Sequence, residues 1–336
     1  MANFNKGSRG KPLEKERKKL FLEYTFLGQT GIKVSRLCFG ALTIGPLQAN
    51  LPPSAGAKVI KAALEMGVNF IDTAELYGTY PHIAQAIRGS RDQVVIASKS
   101  YAYTREGMAE SLANACRELG TDYIDIFMLH EQESELTIRG HWEAVEYLLE
   151  AKEKGLVRAV GISTHAVRGV LAAAEFPELD VIHPLYNIRG LGILDGTREE
   201  MREAIGRAAR SGKGIYAMKP LGGGNFRDNV QEAFTYILQT PGVDAVAVGM
   251  QTTHEVELNV RLVSGMPVSE ELYQKVSSQS RRLHIDDWCQ GCGSCVEKCP
   301  QGALELRGGK AVVRQEECLL CGYCAAACPE FVIKVV

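Results

Sequence analysis

The run C-x2-C-x2-C-x3-C-P occurs twice in this chain and takes up eight of its ten cysteines. The first copy is Cys289, Cys292, Cys295, Cys299 and Pro300; the second is Cys318, Cys321, Cys324, Cys328 and Pro329. Three thiolates set two residues apart can wrap one small body only if the backbone curls tightly. Gly291, Gly293 and Gly322 permit that curl, and each proline ends its turn. Zinc also takes C-x2-C pairs, but not four-cysteine runs repeated with a trailing proline. A disulfide framework needs an oxidising compartment, and nothing in the sequence points to export.

The spacing resembles that of the bacterial two-cluster ferredoxins. The resemblance implies two 4Fe–4S clusters, with the fourth cysteine of each run crossing to the other cluster. Cluster 1 would then take Cys289, Cys292, Cys295 and Cys328, and cluster 2 would take Cys318, Cys321, Cys324 and Cys299. Between the runs, residues 303–313 alternate around Gly308-Gly309, a hairpin signal. Residues 284–336 are therefore expected to form an α+β ferredoxin-like domain. A polar helix over 268–283 would join it to the rest. Cys38 and Cys116 stand apart and are expected to be packed thiols.

The chain has 336 residues with a net charge of −2, enough for one large domain and one small one. That balance offers no global field for nucleic acid. No apolar run approaches the roughly 20 residues of a membrane span, and no signal peptide is read. Cluster cysteines must stay reduced before assembly, so a cytoplasmic location is expected. Residues 1–21 are rich in Lys and Arg and are expected to be a solvated basic arm.

Over 22–267, short apolar runs alternate with helical periodicity. Strands are expected near 34–39, 69–71, 94–97, 123–129, 159–161, 181–182, 215–217 and 245–248. Ser54 is expected to cap a helix carrying Val59, Ile60 and Ala63, with Gly67 closing it. Thr197 and Glu200 form a capping-box signature. The strand runs are apolar rather than alternating, which implies burial on both faces and a parallel sheet. Eight such units in this length predict a closed (β/α)8 barrel. No G-x-G-x-x-G follows the first strand, which disfavours an open dinucleotide fold.

In such barrels, polar residues just past strand ends meet in space. Asp72 follows one expected strand, with Tyr77 five residues on; Lys99 and His130 follow the next two. A phenol has an ordinary pKa of about 10. A neighbouring Lys99 ammonium is expected to lower it, Asp72 to hold that lysine, and His130 to donate to the same substrate oxygen. Tyr77 would then protonate a carbonyl oxygen while hydride reaches the carbon.

The segments F-I-D-T-A-E-L-Y-G (Phe70 to Gly78), A-S-K (Ala97 to Lys99) and F-M-L-H (Phe127 to His130) resemble the tetrad segments of the aldo–keto reductases. L-G-Q-T-G-I-K-V-S-R-L-C-F-G (Leu27 to Gly40), V-G-I-S ending at Ser163, K-P-L-G-G-G from Lys219 and V-G-M before Gln251 extend the likeness over about 24–263. With its tail, the chain is similar to the branch carrying a C-terminal ferredoxin-like domain. The resemblance implies Tyr77 as general acid, supported by Lys99, Asp72 and His130. It also implies NAD(H) or NADP(H) as cofactor, held by Ser163, Thr164, His183, Met218, Lys219, Leu221, Gly223, Gly224, Gly249, Gln251, Glu255 and Asn259.

Several of these positions depart from the family pattern. Thr164 stands for an Asn, His183 for a Gln and Met218 for a stacking Tyr. Gly249 and Glu255 replace the Lys and Arg associated with a 2′-phosphate, and Leu258 replaces the Glu of the terminal Glu-Asn. A carboxylate repels that phosphate and accepts from a ribose hydroxyl, so NAD(H) is expected over NADP(H). Lys219 and Gly222 to Gly224 suit a diphosphate. Hydride moves two electrons together and each cluster moves one, so a flavin stays open as an alternative cofactor.

The leading reading is an oxidoreductase acting on a small carbonyl or alcohol and exchanging electrons with a ferredoxin or another carrier. Its substrate specificity is expected in loops 79–82, 131–137 and 187–194. One alternative is an electron-transfer subunit of a larger redox complex with an idle barrel; another is a nicotinamide-sensing barrel with structural clusters.

Overall fold

The computed structural model describes residues 22–226 and 229–336; the basic arm expected over 1–21 lies outside them. Eight parallel strands close into a barrel. In chain order they are β3 (Leu37–Gly40), β4 (Phe70–Asp72), β5 (Val95–Ser100), β6 (Ile124–Leu129), β7 (Val157–Thr164), β8 (Val181–Pro184), β9 (Gly214–Met218) and β10 (Ala245–Gly249), with β10 hydrogen-bonded back to β3. A hairpin of β1 (Tyr24–Phe26) and β2 (Lys33–Ser35) precedes them. Its Leu27, Ile32 and Val34 pack with the barrel-interior residues Cys38, Phe70, Ala97, Ile126 and Met128, plugging one end.

The period of two along each strand decides what reaches the other end. On β5, Val95 and Ala97 face the barrel interior while Ile96 joins the layer under the helices. Lys99 keeps the interior parity. The same count carries Asp72 up from Phe70, His130 from Met128, His183 from Val181 and Met218 from Tyr216. Burial of both strand faces explains the unbroken apolar runs.

The helices α1 (Pro53–Glu65), α2 (Tyr80–Ala86), α3 (Arg105–Leu119), α4 (Glu135–Gly140), α5 (Trp142–Glu153), α6 (Val167–Glu175), α7 (Arg198–Arg210), α8 (Val230–Leu238) and α9 (Thr253–Val263) follow the strands. α3 ends at Gly120 in the left-handed region, and the Thr197–Glu200 capping box is present. Ser54, in contrast, lies inside α1, where Pro52 is the cap and Pro53 pre-sets the first turn. The polar linker is helical only as α10 (Glu270–Ser277). By Leu283 the chain is already extended, because β11 (Leu283–Ile285) pairs antiparallel with β14 (Ile333–Val335). The expected hairpin is β12 (Leu304–Arg307) and β13 (Lys310–Val313), and the cysteine runs contribute the short helices α11 (Ser294–Glu297) and α12 (Tyr323–Ala327). Gly291 sits at φ +65, and a Cβ there would lie 2.1 Å from the Gly309 carbonyl. That close approach is why only glycine suits the turn after Cys289.

The cysteine-rich module rests on the barrel mouth. Val335 N donates to Gly223 O at 2.9 Å, and Phe331 is buried against Leu185 and Met218. A Cβ on Gly224 would lie 2.2 Å from Val335 O. The close backbone approach expected to serve a diphosphate at Gly223 and Gly224 is thus taken up in part by the chain's own β14. Loop 187–194 is likewise used for docking, since Leu191 and Ile193 pack with Phe331. Among the described residues no helix is long and apolar enough to cross a membrane.

Candidate active site and cluster cavities

Asp72 and Lys99 form a buried ion pair. The Lys99 ammonium lies 2.8 Å from Asp72 Oδ1 and 2.9 Å from Oδ2, and donates to Thr73 O at 2.7 Å. Tyr216, two residues below Met218 on β9, donates its hydroxyl to Asp72 Oδ1 at 2.8 Å. Its strand was expected from the sequence, but nothing there said that the side chain reaches Asp72. Tyr77 stands in the short turn after β4. Lys99 Nζ lies 5.1 Å from its ring centre, and the His130 ring meets its edge at 5.7 Å. Tyr101, also unforeseen, stacks on His130 at 4.4 Å and donates to Glu131 at 2.7 Å.

The electrostatics differ from the expectation for Tyr77. Burial, followed by the Asp72 charge, pushes its phenol well above the ordinary value. Lys99 does not reverse this, because both carboxylate oxygens of Asp72 already bind its charge. Burial, followed by the Lys99 charge, holds His130 well below the usual imidazole range. Tyr77 is therefore a protonated phenol beside a neutral imidazole. The His130 Nδ1 is buried with no protein partner among the described residues.

A cavity of about 900 Å³ opens beside Asp72 and Tyr77, while Lys99 and His130 lie behind them and do not line it. Its lining includes Asp72, Tyr77, His183, Met218, Lys219, Leu221, Gly223, Gly224, Gly249, Gln251, Glu255 and Asn259. Ser163 and Thr164 are not part of it: Ser163 Oγ accepts from Glu131 N, and Thr164 Oγ1 accepts from Ala166 N. His183 donates Nδ1–H to the Tyr216 carbonyl at 2.6 Å and stacks on that ring at 3.9 Å. Its Nε2 is therefore an acceptor, 3.7 Å from Asp72 Oδ1, and burial brings its pKa down to about 4. Met218 packs on Phe331 as well as facing the cavity.

Glu255 also differs from the expectation. Its Oε2 accepts from Gln251 N and Thr252 N, capping α9, and its Oε1 pairs with Arg281 beyond α10. The carboxylate expected to repel a 2′-phosphate is thus matched by a cation from the linker. Only tertiary contact could reveal this, since 26 residues separate the partners.

The eight run cysteines divide four and four. One small cavity is lined by Cys289, Cys292, Cys295 and Cys328, the other by Cys299, Cys318, Cys321 and Cys324. Each takes its fourth thiol from the other run. All ten cysteines are free, and among the described residues no three ligating groups close on a single metal ion. Thiols spread around a small cavity suit a multi-atom cluster better than one zinc bonded at about 2.3 Å. Leu320 lines both the second of these cavities and the large one at the barrel mouth.

Residues 36–234 match the Aldo/keto reductase family, and residues 282–329 match the 4Fe-4S dicluster domain. Over 183 residues the chain is 30% identical to aldo-keto reductase YhdN of Bacillus subtilis (strain 168), a match covering 50% of this chain and 54% of that protein. The chain thus spans about half the length of that relative. It is 25% identical over 293 residues to the 6-dehydroglucose reductase of Novosphingobium aromaticivorans, covering 78% of this chain and 92% of that protein. The solved structure of PA4992, a putative aldo-keto reductase from Pseudomonas aeruginosa, aligns with a TM-score of 0.63 at 28% identity, covering 72% of this chain and 94% of that one.

Proposed function

Because the chain belongs to the aldo/keto reductase family and carries a 4Fe-4S dicluster domain, we propose that it interconverts a small carbonyl compound and its alcohol at the barrel mouth, with Tyr77 moving the proton. The observation that carries this reading is the joining of Asp72, Lys99, Tyr77 and His130 at neighbouring strand ends beside one large cavity. Tyr77 holds its proton at neutral pH and hands it to a carbonyl oxygen as negative charge builds there. Lys99, fixed by Asp72, sets a positive charge 5.1 Å from the centre of the Tyr77 ring. His130, neutral and stacked on Tyr101, orients the substrate oxygen from the side. In the oxidation direction the same groups accept the proton.

A reduced nicotinamide would supply hydride, and Met218, Lys219, Leu221, Gly249, Gln251 and Asn259 are the lining residues proposed to hold it, with His183 Nε2 accepting from a carboxamide. Arg281 stands against Glu255, so we assign no preference between NAD(H) and NADP(H). The cysteine sets Cys289, Cys292, Cys295, Cys328 and Cys318, Cys321, Cys324, Cys299 would hold two 4Fe–4S clusters, which pass single electrons. Leu320, shared by the second thiol cavity and the mouth, supports a redox link between the two domains. A flavin in the mouth would convert between one- and two-electron steps. Its resolved absorption bands in anaerobically purified protein, and its release on denaturation, would identify it.

The test is Tyr77→Phe in the full, cluster-loaded protein. Carbonyl reduction should fall by about 100-fold or more, the scale of positioned proton transfer, while cluster absorbance is retained. Near-normal turnover would remove Tyr77 from the mechanism. A second reading, an electron-transfer subunit with an idle barrel, draws support from Phe331 seated on Met218. It requires that the wild-type protein reduce no carbonyl compound at all.

A further inference from the structure

Lys334 lies on β14 of the cysteine-rich module, yet it lines the barrel cavity together with Tyr77 and Asp72. It is 5% exposed, between the apolar Ile333 and Val335. Its ammonium sits 3.6 Å from the centre of the Phe331 ring. Lys219, from the end of β9, lies 5.1 Å from the same ring centre and donates to His165 Nε2 at 2.9 Å. Lys219 does so from a left-handed backbone, φ +56, a conformation that costs a lysine energy.

A buried ammonium is costly unless it is matched. For docking alone, an aliphatic residue at 334 would serve β14 better. The matching within the protein is weak. Asp286 is the carboxylate nearest Lys334, at 3.9 Å, and its other oxygen takes His284 at 3.0 Å. The partner of Lys219 is His165, an imidazole that burial keeps neutral. The charged residues of the cavity lining are Asp72, Lys219, Glu232, Glu255, Arg281 and Lys334. Asp72 is bound by Lys99 and Glu255 by Arg281, while Glu232 is exposed on α8 and takes Asn229. The two remaining lysines face the cavity together.

We propose that Lys334 and Lys219, one from each domain and flanking Phe331, form a subsite for an anionic oxygen group, a carboxylate or a phosphoryl group, on the molecule bound in the barrel cavity. This rests on the cavity being the ligand site, as proposed above, and adds that the cysteine-rich module completes it. The anion supplies acceptors beyond the His165 Nε2 that Lys219 already uses, and its charge favours the protonated form that burial disfavours at both lysines.

The test uses full-length, cluster-loaded protein and Lys334→Gln, with Lys334→Arg as the charge-keeping variant. Binding is followed by ligand-observed NMR, with phenylglyoxylate as the carboxylate probe and its methyl ester as the neutral one, and by phosphorus NMR with inorganic pyrophosphate. Loss of a charge-assisted hydrogen bond should weaken the matching probe by about tenfold or more. Weaker phenylglyoxylate relative to its ester identifies a carboxylate site; weaker pyrophosphate identifies a phosphoryl site. Lys334→Arg should restore most of the loss. If the wild type binds neither anion, or Lys334→Gln binds both as the wild type does, the subsite does not exist. Binding is read without turnover, so a wild type that binds an anion but reduces no carbonyl would sink the proposed reaction and spare the subsite.

Discussion

Tyr77 shows how a charge drawn from sequence is altered by its partner. An ammonium beside a phenol lowers its pKa in principle, and Lys99 is near enough to act. But Lys99 is bound by both oxygens of Asp72, and Asp72 also takes the Tyr216 hydroxyl. With Lys99 so engaged, burial and then the Asp72 charge raise the phenol's pKa. For the proposed reaction, the sign of this shift sets the expected pH profile of carbonyl reduction. A group whose pKa is raised keeps its proton up to and beyond the ordinary phenol value of about 10. The kcat/KM for reduction should therefore stay level from about pH 7 to about pH 9 without an alkaline fall. A half-loss inside that window would mean an acidified phenol and would overturn the assignment. Glu255 carries the same lesson: read alone it is a repulsive carboxylate, but in the fold it caps α9 and pairs with Arg281.

The elements around the site depend on register and close approach. Period-two alternation carries Asp72, Lys99 and His130 to the mouth from β4, β5 and β6, and this was legible once the strands were placed. The seating of β14 was not, because a strand's partner edge leaves no mark in its own composition. Gly224 makes that seating testable. It sits at φ +85, and a Cβ would meet Val335 O at 2.2 Å. Gly31 provides the comparison, at φ +71 with nothing within 4 Å. Gly31→Ala should cost only the backbone strain, about 1 kcal/mol. Gly224→Ala should cost about 2 kcal/mol more and loosen β14 from the barrel. Thermal unfolding and hydrogen exchange at 333–335 would measure this; equal losses for the two variants would mean that β14 does not rest on Gly224.

At the scale of the molecule, two bodies of very different self-sufficiency meet at one cavity. The barrel has a continuous core in two layers, inside and outside the strands. The module's core is small, built around Leu283, Leu304, Ala325, Val332 and Ile333, with Cys295 and Cys324 among its buried members. A body with so little apolar burial needs a metal staple to stay folded. Anaerobic removal of iron with a chelator should therefore abolish amide protection in β11 to β14 while the far-ultraviolet signature of the barrel persists. Protection that survives chelation would show that the module folds without clusters. By itself the sequence determined the eight-fold strand–helix alternation, the strand-end placement of Asp72, Lys99 and His130, and the cysteine runs, because periodicity and short-range spacing are local properties of a chain. Only the tertiary structure decided the raised phenol, the Glu255–Arg281 pair, the use of loop 187–194 in docking and the entry of Lys334 into the cavity. Each of these depends on Coulomb and packing contacts between residues remote in sequence, and such contacts exist only once the chain has closed on itself.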